Sequence, residues 1–128
     1  MKDHEGLGRK DELIGLEVNM RPSGGISPDM MNFSQSTDVY KIWADMIAYD
    51  SSLRGIGQTA FCAFAGRRDG KNFVMSDGDV MDKYGANMKM SGRVADALSG
   101  AMGNQMYIAN FNRKEEMDAF YNDVLACR

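Results

Sequence analysis

The chain has 128 residues, of which 44% are apolar and 26% charged, and its formal net charge is −3. This length suits one domain with a buried core, so we expect residues 1–128 to form a single domain with a possible seam at the polar, glycine-containing residues 51–58. The acidic balance argues against nucleic acid as the main partner. No apolar run reaches the roughly 20 residues of a membrane helix, and the charged start lacks an apolar signal core, so we expect no membrane partner and a cytoplasmic location.

Histidine and cysteine chemistry is not favoured by the sequence. His4 is the single histidine and lies close to the N-terminus, which argues against catalysis by a histidine base. Cys62 and Cys127 are far apart and do not belong to a CxxC motif. They are therefore predicted to be free thiols in a reducing compartment.

Residues 13–19 are predicted to form a strand that ends in a polar tip. Side chains alternate between the two faces of a strand, so Glu17, Asn19 and Arg21 project from one face and the apolar residues between them from the other. Pro22 fixes φ and has no N–H, so the strand is expected to stop there. The oxygens of Glu17 and Asn19 suit a hard cation such as Mg²⁺, and Arg21 suits a phosphate or a carboxylate.

A glycine loop follows this tip. Ser23, Gly24 and Gly25 can bend sharply and bring their backbone amides close to a ligand, and Ser27 is expected to cap a short helix that starts at Pro28. The residue types alone leave a second interpretation open. In that interpretation Glu17 and Arg21 form an ion pair on an exposed strand face, and the loop is an ordinary turn.

Two helices are clear from apolar residues at helical spacing, at residues 37–49 and 113–126. The first includes Trp43, which is predicted to be an anchor in the core. Besides residues 13–19, four further strands are predicted at residues 59–65, 73–75, 87–91 and 105–111. The fold class is therefore expected to be α+β, with a mostly antiparallel sheet of about five strands covered by the two helices on one face.

Two local signals lie between the strands. Asp69-Gly70 is a hairpin signal between residues 59–65 and 73–75, and the basic residues near it are interpreted as a solvated hairpin tip. They are Arg67, Arg68 and Lys71. A capping box is predicted at Ser76 with Asp79, at the start of a short helix.

The run Glu17-Val18-Asn19-Met20-Arg21-Pro22-Ser23-Gly24-Gly25 resembles the metal-binding strand of the ATP-grasp superfamily. The sequence after this run is similar to the C-terminal third of carbamoyl-phosphate-synthase-like and biotin-carboxylase-like proteins of that superfamily. The similarity covers nearly the whole chain. The resemblance implies that Glu17 and Asn19 hold Mg²⁺ against the phosphates of ATP, with Glu5 on a preceding strand as a further metal ligand. It also implies that Arg21 is a catalytic contact to the γ-phosphate or acyl phosphate, and that Ser23, Gly24 and Gly25 form the cofactor-binding loop.

By this resemblance the chain is the C-terminal portion of a carboxylate–amine or carboxylate–ammonia ligase. In that superfamily the adenine pocket, a phosphate-binding lysine and a glycine-rich flap precede the Glu-x-Asn strand. We therefore expect the chain to be inactive alone and to need an upstream ATP-grasp chain. Two alternatives stay open: a non-catalytic binding or self-associating module descended from such an enzyme, and a small independent Mg²⁺-dependent enzyme. An exposed edge of the opening strand predicts a homo-oligomer.

Overall fold

Five α-helices and three strands follow one another in residues 23–55 and 57–128, which are the residues that the computed structural model describes. In chain order they are α1 (Ser27–Gln35), α2 (Val39–Tyr49), β1 (Phe61–Arg67), α3 (Asp77–Tyr84), β2 (Met88–Arg93), α4 (Asp96–Met102), β3 (Gln105–Phe111) and α5 (Lys114–Leu125). No helix of this described part is long and apolar enough to cross a membrane.

The strands form one antiparallel sheet in the order β1-β3-β2. Ala63 of β1 pairs with Ala109 of β3, and Ser91 of β2 pairs with Tyr107 of β3. The predicted α+β class with an antiparallel sheet is confirmed. The expected number of about five strands is wrong for the described residues, where the sheet has three.

The predicted strand at residues 73–75 is the clearest difference. The turn before it forms, with Gly70 at a φ of 83°. The chain after the turn does not pair with β1, however, because it meets the C-terminal tail instead. Phe73 forms a single bridge with Cys127, and the Val74 amide donates to the Ala126 carbonyl at 2.9 Å. The predicted strand at residues 13–19 lies outside the described residues.

The main core lies between one face of the sheet and helices α3 and α5. Strand alternation puts small alanines of β1 and larger residues of β3 on this face, where they pack against apolar residues of the two helices. The buried members are Ala63, Ala65, Val80, Tyr84, Tyr107, Ala109, Phe111, Phe120 and Val124. The rings of Tyr84 and Phe120 meet edge to face, with centroids 5.2 Å apart. The predicted position of the last helix over the sheet is confirmed.

The opposite face of the sheet contacts α1. Asn110 alternates away from the main core, and its side-chain amide donates to the Phe33 carbonyl of α1 at 2.6 Å. The Ser34 hydroxyl donates to the Ala60 carbonyl, also at 2.6 Å. Helices therefore lie on both faces, and the expectation that residues 37–49 and 113–126 cover one face together is wrong, because α2 packs against α1.

Two glycines allow a close approach at the end of β1. A Cβ added to Gly66 would collide with the Met102 carbonyl oxygen at the end of α4. A Cβ added to Gly103 would lie 2.8 Å from the Arg67 carbonyl oxygen, and the φ of Gly103 is 86°. The Asn104 amide then donates to that carbonyl at 2.7 Å. Glycine is required at both positions, and the contact fixes the backbone of Arg67.

Side chains also fix the starts of the helices. The Asp38 carboxylate accepts from the Lys41 amide at 3.0 Å at the start of α2. At the start of α3 the Ser76 hydroxyl accepts from the Asp79 amide, and the Asp79 carboxylate accepts from the Ser76 amide at 2.8 Å. The predicted capping box is confirmed.

Candidate functional site

Most of the predicted metal and phosphate site lies outside the described residues. This holds for Glu5, Glu17, Asn19 and Arg21. The predicted loop of Ser23, Gly24 and Gly25 is described, and all three residues are exposed immediately before α1. Gly25 has a φ of 66°, and a Cβ added to Gly24 or Gly25 would meet no atom of the described residues within 4 Å. The loop is therefore open to a ligand on the side that the structure describes.

The described residues do not supply a metal centre of their own. Within residues 23–55 and 57–128, no three His, Cys, Asp or Glu side chains gather where they could hold a metal ion. A magnesium site in this chain therefore depends on the predicted ligands before residue 23.

Helix α2 has an exposed apolar side, which we call the outer face of α2 and define by Tyr40, Trp43 and Ile47. These residues lie at i, i+3 and i+7, so they share one side of the helix. Their exposed fractions are 46%, 42% and 69%. The prediction that Trp43 anchors the core is wrong, because its indole is 42% exposed on a helix that packs against α1 and contributes no buried residue.

A second feature is an open cleft of about 680 Å³, which we call the Arg67 cleft. It lies between the end of β1, the start of α3 and the C-terminal tail. The lining residues are Arg67, Lys71, Asn72, Phe73, Val74, Met75, Ser76, Asp77, Asp79 and Arg128.

Arg67 is the buried charge of this cleft, with 4% of its surface exposed. Its Nε donates to the Val124 carbonyl oxygen at 2.8 Å, and Nη1 donates to Asp77 Oδ1 at 3.2 Å. The guanidinium carbon lies 4.5 Å from the ring centroid of Phe73 and 5.4 Å from that of Tyr107. Nη2 is buried and has no hydrogen-bond partner in the described part of the chain. The interpretation of Arg67 as part of a solvated tip is therefore wrong.

Asp77 links Arg67 to a tyrosine. The Tyr107 hydroxyl donates to the same Oδ1 atom that Arg67 contacts. Burial and, to a smaller extent, the hydrogen bond to Asp77 together raise the pKa of Tyr107 to about 12. The Asp77 side chain is 66% exposed, so one side of this carboxylate faces solvent.

The other charges of the cleft are unequally paired. Asp79 is held by Ser76, and these hydrogen bonds lower the pKa of the Asp79 carboxyl. Lys71 and Arg128 form no ion pair with the residues that the structure describes. Both aspartate side chains of the cleft are thus engaged, while the side chains of Lys71 and Arg128 are available to an anion from solution.

The sequence contained one signal of this cleft. Arg67 follows Ala63 and Ala65 at the spacing of one strand face, which places it at the end of an inward-facing row. The Asp69-Gly70 turn signal nevertheless led to the interpretation of Arg67 as part of a solvated hairpin tip. Asp77 and Tyr107 carry no such signal, because the contact between them joins α3 to β3.

Comparisons of the chain with protein-family models, with curated proteins and with solved structures find no match. The function of the chain is therefore inferred from its own residues.

Proposed function

We propose that the chain is the C-terminal portion of an ATP-grasp-type ligase that joins a carboxylate to an amine or ammonia. It would supply Mg²⁺ and phosphate contacts and would be inactive until other ATP-grasp parts complete the site. The observation that carries this proposal is the outer face of α2. Scattered exposed apolar residues are normal on a protein surface, whereas three aligned on one helix favour a docking surface.

The place of this face in the chain favours one occupant. Helices α1 and α2 follow directly after the glycine loop, so a polypeptide that completes a site at residues 17–25 would lie close to them. Burying a large apolar side chain contributes about 1.5–3 kcal/mol relative to leaving it exposed. We assign the outer face of α2 to the nucleotide-holding part of an ATP-grasp protein, on a partner chain or elsewhere in the same protein.

The roles of the residues in this proposal follow the resemblance. Glu17 and Asn19, with Glu5, would hold Mg²⁺, and the bound ion would neutralise phosphate charge. Arg21 would bind the γ-phosphate or acyl phosphate and orient it. The exposed loop of Ser23, Gly24 and Gly25 fits an approach by phosphates, because no side chain among residues 23–55 and 57–128 fills the space beside its glycines.

The metal ligands can be tested on the chain as it is. Paramagnetic Mn²⁺ replaces Mg²⁺ at oxygen sites and broadens the NMR signals of nearby amides, even when binding is weak. We expect broadening at residues 17–25 of the wild type and loss of that broadening in Glu17→Gln. Glu12→Gln removes an equal charge from the same segment and is the matched control. Broadening that is absent, or that Glu17→Gln leaves unchanged, would contradict the metal site.

Catalytic incompleteness has a separate test. We expect the isolated chain to release phosphate from Mg-ATP at the rate of a blank, because the nucleotide-holding parts are supplied by another polypeptide segment. ATP hydrolysis by the isolated chain that disappears in Glu17→Gln would overturn this expectation and favour the small independent enzyme.

The outer face of α2 also favours a second candidate, a non-catalytic module that associates with itself. A second copy presents the same face, so two copies can cover each other symmetrically. Ile47→Asp should then convert a dimer into a monomer in light scattering. Met81→Asp, on α3, is the matched control at a residue that is 40% exposed. A dimer that depends on Ile47, together with no Mn²⁺ broadening at residues 17–25, would favour this candidate over the ligase.

A further inference from the structure

The Arg67 cleft is independent of the predicted metal site, and its residues do not overlap with residues 5–25. A buried donor without a partner destabilises the folded state, so the unpaired Nη2 of Arg67 calls for an explanation. The guanidinium is always charged and presents its donors in a planar fork that fits carboxylate and phosphate oxygens. Its Nε and Nη1 already have protein partners, which leaves Nη2 for a ligand.

The cleft around Arg67 contains further positive charge and an apolar surface. Lys71 and Arg128 line the same cleft, and both are exposed. Phe73, Val74 and Met75 also line it, and Val74 is 48% exposed. A ligand that contacts both the cationic and the apolar residues of the cleft has an oxyanion at one end and an apolar group at the other.

We propose that the Arg67 cleft binds a small organic anion, with a carboxylate or phosphate group near Nη2 of Arg67 and an apolar part against Phe73 and Val74. Lys71 and Arg128 attract the oxyanion from solution. Because Nη2 is buried, the ligand reaches it only when the Asp77 carboxylate, whose side chain is 66% exposed, moves away from Nη1. In the structure this carboxylate accepts a hydrogen bond from the Tyr107 hydroxyl.

Titrations followed by two-dimensional NMR test this site with three probes: hexanoate, inorganic phosphate and the uncharged hexanamide. With hexanoate we expect saturable shifts at the Arg67 Nε–H and at the amides of residues 71–77. Hexanamide should cause no comparable shift, because it lacks the charge. Saturable shifts with phosphate but not hexanoate would show that the cleft binds an oxyanion without an apolar part and would overturn the apolar half of the proposal. Shifts with hexanoate alone would identify a carboxylate.

Replacement of Arg67 would also break its contacts to Val124 and Asp77, so the variants are placed at the two exposed cations. Lys71→Gln combined with Arg128→Gln should weaken hexanoate binding about fivefold or more. Lys114→Gln removes a lysine at the opposite end of α5 and should leave binding unchanged. Absence of shifts at millimolar hexanoate and phosphate, equal shifts with hexanamide, or equal affinity in the double variant would each overturn the proposal. Because residues 17–25 take no part, these results do not depend on the Mn²⁺ experiment.

Discussion

The C-terminal residues 61–128 and the N-terminal helix pair α1–α2 differ in how they are covered. Over the part of the chain that the structure describes, ten buried apolar residues come from β1, α3, β3 and α5, whereas the pair α1–α2 contributes Pro28 alone. Every residue of α2, by contrast, keeps part of its surface exposed. The C-terminal residues therefore form a core of their own, and α2 has one covered side and one uncovered side.

This difference shows what an amphipathic helix does and does not specify. Helices α2 and α5 both carry apolar residues at helical spacing. Helix α5 lies on a sheet face, which covers Phe120 and Val124 completely. Within the described residues, helix α2 packs against helix α1, and its Asp45 contacts Ser52 and Arg54 of the following loop. The spacing thus indicates which side is apolar, and the partner available decides how much of it is buried.

The largest expected effect compares one aromatic side chain from each region. Phe120→Ala should destabilise the chain by about 3–5 kcal/mol, because a fully buried ring leaves a cavity. Trp43→Ala should cost less than about 1 kcal/mol, because the indole is already partly in water. Urea unfolding followed by far-ultraviolet circular dichroism measures both variants, including the one that loses the single tryptophan.

Both substitutions shorten an aromatic side chain on a helix to alanine, so each is a control for the other. A cost for Trp43→Ala close to that for Phe120→Ala would mean that the outer face of α2 is covered in the isolated chain. The proposal that another polypeptide segment covers the outer face of α2 would then be contradicted.

A smaller effect is expected at two neighbouring arginines, Arg67 at the end of β1 and Arg68 directly after it. Arg67→Ala should destabilise the chain by about 2–3 kcal/mol, because it removes a buried hydrogen bond to Val124 and the contact to Asp77. Arg68 is exposed and donates to the Gly100 carbonyl at 2.6 Å. Arg68→Ala should therefore cost less than about 1 kcal/mol. The two free energies of unfolding come from urea titrations under identical conditions.

This pair of variants tests whether the loss of any positive charge near the turn lowers the free energy of unfolding, or whether only the buried arginine does so. Equal losses for Arg67→Ala and Arg68→Ala would mean that Arg67 is no more important than a solvated tip residue. The burial of Arg67 would then not contribute to stability, and the Arg67 cleft would lose its structural basis.

Local patterns predicted the elements well. The spacing of apolar residues predicted helices at 37–49 and 113–126, and they occur as Val39–Tyr49 and Lys114–Leu125. The strand predicted at residues 105–111 occurs as Gln105–Phe111. These signals depend on neighbouring residues, which a sequence displays directly.

Long-range contacts were not predictable in the same way. The bridge between Phe73 and Cys127 joins residues more than 50 positions apart, and no local pattern favours it over a hairpin with β1. Arg67 was assigned to a solvated hairpin tip because it lies next to the Asp69-Gly70 turn signal, although its position in the strand puts it on the buried face. Of the candidate site, the structure describes only Ser23, Gly24 and Gly25, so the roles of Glu17, Asn19 and Arg21 stay predictions.

The smallest expected effect concerns the tyrosine of the cleft at alkaline pH. Burial raises the pKa of Tyr107 from 10.0 to about 12, so between these values the unfolded chain loses a proton that the folded chain keeps. The folded state then binds more protons, and the free energy of unfolding must fall as the pH rises through this range. Tyr107→Phe should lower the free energy of unfolding by about 1 kcal/mol at neutral pH, because it loses the hydrogen bond to Asp77. It should also make the loss of stability at alkaline pH less steep.

Urea midpoints measured from neutral pH to pH 12 test both effects, and Tyr49→Phe, at a residue that is 75% exposed, is the matched control. An alkaline decline as steep in Tyr107→Phe as in the wild type would show that the hydroxyl is not held in the cleft as the structure describes.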